Sequence, residues 1–344
     1  MLMVQRAVSL LEGIGLHVVA VVCDQEASHR QLYAALGATT EQPWFASSGG
    51  RRVYTMFDIP HIIKNLRNNM INYDITTADH NTVSFQVLRK LYDLEKRNSL
   101  RLCPKLTDGH FDIKPFKKMK VSLATQVLSH SVATALRTYV QFKQLDTFAL
   151  QTADFVERID KLFDILNSRT QKANHKWKKP LTANSKEQFS FLDEAVEWIK
   201  SWNFRHVTTK KEKSSLPFHS GLLQTVRAIR LVSDELLTAH GFRFVMTSRF
   251  NQDIVENWFS CIRQKGLNND SRTCWEYETA ARAVSVNWML TSVSSKSNCE
   301  YDFDRFIGLI SGFKSSASLD IPKNELTATD NNFQLTSSEA VRPC

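Results

Sequence analysis

Asp253 and Glu256, in the run Gln252-Asp253-Ile254-Val255-Glu256-Asn257-Trp258-Phe259, lie three residues apart. On a helix that spacing puts both carboxylates on one face. Val255, Trp258, Phe259 and Ile262 form an apolar stripe beside them, which predicts a helix packed on one side while it offers an acid to a metal on another. The same spacing is common on solvated helix faces, so the pair alone does not define a site.

A second carboxylate lies far upstream. Leu16 to Cys23 is a continuous apolar run, rich in valine and preceded by Gly13 and Gly15, and it reads as a strand buried on both faces. It ends on Asp24, and a helical stretch from Arg30 to Leu36 follows. An acid at the C-terminal end of a central strand stands where open α/β sheets keep their ligands. Asp24 would equally serve as a cap for the helix that follows. Val53 to Asp58 reads as another short strand, and Pro60 opens a helix through His61, Lys64 and Arg67.

Taken in order, five blocks resemble the P-element transposase family, whose animal relatives include proteins with a THAP-type DNA-binding domain. They are the strand ending in Cys23-Asp24, the Asp58-x-x-His61-x-x-Lys64-x-x-Arg67-Asn68 helix start, Met119 to Ala124 with Leu128-Ser129, Phe163 to Arg169, and Gln252-Asp253-x-x-Glu256-Asn257-x-Phe259. The resemblance runs from about residue 10 to 287. It implies an RNase H-like domain that cuts and joins DNA through two divalent ions, Mg²⁺ by preference, clamped by three carboxylates. Asp24 matches the second of these acids and Glu256 the third, with Asp253 as a further metal-site residue that orients Glu256. The resemblance also implies a GTP-binding insertion. Lys105, Lys120, Val121 and Ser129 match residues that line the nucleotide pocket, and Asp164 and Asn167 match the acid and amide that read the base. Pro104 stands where the family usually has Asn. A carboxylate that accepts from the N1–H and 2-amino donors of guanine is complementary to it, whereas adenine lacks that donor pair. On spacing alone, Asp164 and Asn167 would be an exposed helix face beside Phe163 and Leu166.

The resemblance further implies DNA, such as transposon ends, as partner, guanine nucleotide as cofactor, a homo-oligomer, and work in the nucleus. Met1 falls inside what resembles the helix after the first acidic strand, so the first acid is expected to be absent. The expectation is a fragment or domesticated relic whose metal site is incomplete. The alternative is a non-catalytic interaction scaffold without nucleotide binding.

Composition agrees with these readings without leading to them. The chain has 344 residues, a formal charge of +9 and a pI near 9.2, a balance suited to a polyanionic partner. Lys118, Lys172, Lys176, Lys178, Lys179, Arg205, Lys210 and Lys211 are candidate phosphate contacts, and Trp177 either stacks on a base or covers a helix. No apolar stretch is long enough to span a membrane, and the N-terminus does not read as a secretory signal. The six cysteines are scattered without a Cys-x-x-Cys pair, which argues for free thiols and against structural zinc. No Gly-x-x-x-x-Gly-Lys-Ser/Thr loop occurs, so any GTP site is not a P-loop.

The elements that must position these residues follow from periodicity. The fold class is α/β, mostly helical: an incomplete RNase H-like domain interrupted by a large α-helical insertion. Residues 1–70 alternate helix and strand, and 71–210 are helical, with helices over 83–97, 123–144, 152–168 and 186–202. Residues 169–179 read as an exposed basic loop and 210–215 as a linker. Residues 211–297 return to the first domain, with a helix to His240 stopped by Gly241. Residues 298–344 read as a polar, disordered tail.

Overall fold

β3 (Arg52–Phe57) is the strand around which the first part of the molecule is built. In the computed structural model, which describes residues 1–79, 81–112, 114–265, 271 and 273–288, every residue of β3 after Arg52 is buried. Four elements precede it, two of them its strand partners: α1 (Leu2–Gly13), β1 (Ala20–Cys23), α2 (Ala27–Ala35) and β2 (Trp44–Ala46). β1 runs parallel to β3 and β2 antiparallel, giving the order β1-β3-β2. The expected strand from Leu16 is thus shorter, and it is not buried on both faces. Only Cys23 is fully buried, because β1 is an edge with one neighbour among the described residues. β2, three residues long, carried no readable period.

α3 (Ile59–Met70) leaves β3 directly, as Pro60 predicts. Asp58 caps it, accepting from the His61 backbone N–H at 2.9 Å. Ile59, Ile62, Ile63, Leu66 and Met70 bury one stripe at helical spacing. The chain then continues as β4 (Tyr73–Thr76), β5 (Thr82–Val83), α4 (Phe85–Arg97), α5 (Asp108–Phe111), α6 (Pro115–Lys118), α7 (Val121–Val127), α8 (His130–Gln141), α9 (Ala149–Leu166) and α10 (Lys186–Lys200). The helix expected over 123–144 is two, because Leu128 and Ser129 leave helical geometry. β6 (Asn203–His206) and β7 (Glu212–Lys213) complete a second, antiparallel sheet ordered β5-β4-β6-β7. Residues 210–215, expected as a linker, form the turn and second strand of the β6–β7 hairpin, with Lys210 at φ 56°.

α11 (Pro217–Thr238) is buried nearly all round and packs on β3. Two polar contacts set its register: Gln224 Nε2 donates to Thr55 Oγ1 at 2.8 Å, and the Phe57 N–H donates to Thr225 Oγ1 at 2.9 Å. Gly241 follows at φ +66°, consistent with the expected stop. α12 (Asp253–Gln264) buries only part of the stripe predicted for it, Ile262 fully and Trp258 by half. Val255 and Phe259 are exposed, while Asp253 and Asn257 are buried. The helix turns its polar face inward because that face has charged and amide partners waiting, described below.

The chain divides into two units. One is Met1–Ser260 among the described residues; the other begins at Cys261 and contains α13 (Cys274–Trp288), whose Ala280 and Val284 are buried one turn apart. The architecture is a mixed, mostly helical α/β fold. Among the described residues, no helix is long and apolar enough to cross a membrane. The expected tail over 298–344 lies outside the described residues.

Candidate functional site

A cavity of about 920 Å³ brings together residues from five separate stretches of the first unit. All six residues expected at the nucleotide, Lys105, Lys120, Val121, Ser129, Asp164 and Asn167, line it. Glu256 and Asp253 line it as well, together with Asp58 and His61; Asp24 does not line it.

Each of the six is held by local structure. Lys105 follows Cys103, whose N–H donates to the fully buried Glu95 carboxylate at 2.7 Å. Glu95 also accepts from Leu102 N and Tyr139 Oη, which pins the loop to α4 and α8. Lys120 and Val121 sit at the start of α7, and Ser129 is the N-cap of α8. The Ser129 hydroxyl donates to Gln126 O instead of capping its helix. The backbone N–H of His130, the first residue of α8, is taken by the Asp160 carboxylate, and Lys105 and Lys120 supply positive charge to the cavity. Asp164 and Asn167 lie one turn apart at the end of α9, half-buried.

The electrostatics of that end are unusual. Burial, reinforced by the neighbouring Asp160, pushes the Asp164 carboxyl up to about 6, against the opposing pull of Lys178 3.7 Å away. Asp160 is raised too, first by burial, with Lys178, His130 and His175 opposing. Lys178, one of the candidate phosphate contacts, is thus the counter-ion of Asp164. Lys176 pairs with Glu187 at 2.7 Å, and Trp177 packs partly buried against Phe191. Trp177 covers a helix.

The opposite wall is acidic, and its groups are engaged with one another. Asp58 accepts from His61 Nδ1 at 2.6 Å and from the Gln252 N–H at 2.8 Å, tying the start of α3 to the start of α12. His61 Nε2 lies 3.7 Å from Glu256 Oε1. The hydrogen bond to Asp58 holds the His61 pKa above its ordinary value despite burial. Asp253 accepts from Arg169 Nη2 at 2.5 Å and from Asn251 Nδ2 at 3.0 Å. Arg169 and Asn251 also reach Asn167 Oδ1, at 3.3 and 3.4 Å, so the base-reading candidate and the acidic helix share one network. Asp24 pairs with His29 outside the cavity. Burial lowers the Lys64 pKa, while Glu256, Asp58 and Asp24 all raise it, in that order. Asp24 and Glu256, with 231 residues between them in sequence (256 − 24 − 1), thus both favour the charged form of Lys64.

Sequence reasoning quoted His61, Lys64 and Arg169 inside their blocks without giving them roles. His61 had a local signal, three residues after a capping Asp. Arg169 had none, because its partner Asp253 is supplied by a distant helix.

This geometry defines a class first: a helical module around one large cavity, built against an acid-bearing α/β layer. Residues 60–180 match the family model described as "TNP-like, GTP-binding insertion domain". The chain is 26% identical over 275 residues to the Transposable element P transposase of Drosophila melanogaster, covering 79% of this chain and 36% of that protein. It is 26% identical over 292 residues to DNA transposase THAP9 of Homo sapiens, covering 81% of this chain and 32% of that one. The Drosophila P element transposase strand transfer complex shares the fold at a TM-score of 0.74 and 24% identity, over 82% of this chain and 63% of that chain. The chain is thus similar to P-element transposases in sequence and in fold. It spans about a third of the length of the curated relatives it matches.

Proposed function

We propose that the chain is the nucleotide- and DNA-handling part of a P-element-like transposase, and that its large cavity receives a guanine nucleotide. The observation that carries this reading is the convergence of Lys105, Lys120, Val121, Ser129, Asp164 and Asn167 on one cavity. Lys105 and Lys120 suit the phosphates. Asp164 accepts from the N1–H and 2-amino groups of guanine, and the Asn167 amide N–H donates to its O6.

We further propose that the module is an insertion in an RNase H-like layer, with boundaries near 70/71 and 210/211. The antiparallel pairing of β4 with β6, from Tyr73↔His206 to Thr76↔Asn203, supports this, because the chain leaves and returns side by side. DNA is the proposed partner and the nucleus the proposed compartment, by analogy with the transposases it resembles and in keeping with the basic balance.

Asp24 and Glu256 are the acids the family would use for phosphoryl transfer with Mg²⁺. The donor set as arranged does not fit a two-metal centre. Among the described residues no group of three or more His, Cys, Asp or Glu is placed to hold a metal. Asp24 is paired with His29, and Asp253 with Arg169.

Calorimetric titration of the purified chain with GTP and with ATP tests the nucleotide reading. GTP is expected to bind at least tenfold more tightly. Equal affinity for the two would remove the base-reading role of Asp164 and Asn167, and binding of neither would leave the nucleotide-free scaffold instead.

A further inference from the structure

We propose that the segment Lys114–Lys120 is an arm that holds one nucleotide of a single DNA strand at the mouth of the cavity, with Phe116 stacked on the base and the lysines on the phosphates. The inference rests on the DNA-handling reading above and assigns it a place.

Phe116 is 83% exposed and Met119 68% exposed, an unusual pair of large apolar side chains to leave in water, and both line the cavity. Lys114, Lys117, Lys118 and Lys120 surround them within seven residues. Asp112 is the acid in ion-pair range of the arm, and it stands 3.9 Å from Lys114 and 3.8 Å from Lys117, at the limit of a contact. Lys118 and Lys120 have no ion-pair partner among the described residues.

The arm is tethered from below. Arg67 Nη2 donates to Lys117 O and Asn68 Nδ2 to Lys118 O, each at 3.2 Å. Arg67 is fully buried, its Nε and Nη1 find no acceptor, and burial alone moves its pKa, downward. A buried guanidinium without a carboxylate beside it adds uncompensated positive charge under an already basic arm. The tether also fixes the arm to α3, the helix that carries His61 and Lys64.

An exposed ring flanked by cations, beside a cavity, is the chemistry of a stacking platform with a phosphate track. Every base has a π-face, so the platform is tolerant of sequence. That face is covered inside a duplex, so the ligand is an unpaired strand or a frayed end. A free nucleotide has the same base and phosphate chemistry, and the test separates the two sources.

The probe is a short fluorescein-labelled oligothymidylate, with a base-free deoxyribose-phosphate strand of equal length as control, added to the full chain. Phe116→Ala should weaken the oligothymidylate by about 5- to 100-fold, with the salt slope unchanged. Phe116→Trp should retain binding, and its added fluorescence should be quenched by the strand. The base-free strand should bind parent and Phe116→Ala alike, and Lys118→Ala should lower the salt slope by about one. Because Phe116 is exposed, thermal unfolding should be the same in all variants. Equal oligothymidylate binding by parent and Phe116→Ala would overturn the arm while leaving DNA handling in place. Loss of GTP affinity in Phe116→Ala, with strand binding kept, would assign the ring to the free nucleotide and overturn the proposal. A parent that binds no strand would overturn both, and the GTP titration would still read the nucleotide site separately.

Discussion

The two walls of the cavity are made of similar residue types and treat them in opposite ways. On the α7–α9 wall, burial pushes up the carboxyls of both Asp160 and Asp164, the latter to about 6, with Lys178 3.7 Å from Asp164 as the cation that opposes both shifts. On the α3–α12 wall, Asp58 holds His61 and the Gln252 amide, and Asp253 holds Arg169 and Asn251. The first wall sets two buried carboxyls against one lysine, which costs stability and suits a ligand that brings further donors. The second gives Asp58 and Asp253 two donor residues each, which suits a scaffold. Similar side chains therefore make a receptor or a brace according to whether a partner was folded against them.

The comparison breaks most readily at Asp164. Asp164→Ala should weaken GTP by about 5- to 100-fold, since guanine donors would be left unpaired at about 1–3 kcal/mol. Calorimetry reads this directly, and unchanged affinity would remove Asp164 from the site.

A change of pH should separate the two properties of that carboxylate. GTP affinity should fall about fivefold between pH 6 and pH 5, because the protonated acid cannot accept both guanine donors. Stability should move the other way. The folded pKa is raised above the unfolded value, so this group's contribution is fully present below the unfolded pKa and is lost as pH rises through about 6. The difference in unfolding free energy between parent and Asp164→Asn, followed from pH 4 to 8, checks the sign.

On the opposite wall, Asp58→Ala should cost about 1–2 kcal/mol through loss of the α3 cap, lowering Tm by about 2–8 °C. The His61 pKa should fall at the same time, as seen by NMR titration, because its main hydrogen-bond acceptor is gone. A His61 pKa that stays raised would mean that Glu256, not Asp58, sustains it.

The smallest effect is expected at Asp24. Its pair with His29 is about one-third exposed on both sides, so His29→Ala should change stability by about 0–1 kcal/mol. A larger loss would show that Asp24 is buttressed for a purpose beyond capping.

Local order is what sequence determined here. Asp58 and Pro60 announced α3 because a cap and a fixed φ act within one turn. The blocks carrying Lys105, Lys120, Ser129, Asp164 and Glu256 could be read in sequence with their chemistry attached. Helix boundaries over 83–97, 152–168 and 186–202 came within a few residues, since a 3.6-residue period repeats over several turns. Short strands did not yield to the same reading. β4 and β6 have four residues each, and what makes them strands is each other, across more than a hundred positions.

Tertiary structure alone decided which face of α12 is buried. Val255 and Phe259 gave the expected apolar stripe, yet Asp253 and Asn257 go inside. Arg169, Asn167 and the Asp58 carboxylate reach that helix from elements far away in sequence, and Arg169 with Asn251 satisfies the buried Asp253. Periodicity counts apolar area along one helix, whereas burial also depends on charged partners that other elements deliver. The same delivery makes Asp24, Asp58 and Glu256 all favour the charged form of Lys64. Long-range convergence of this kind leaves no trace in local spacing.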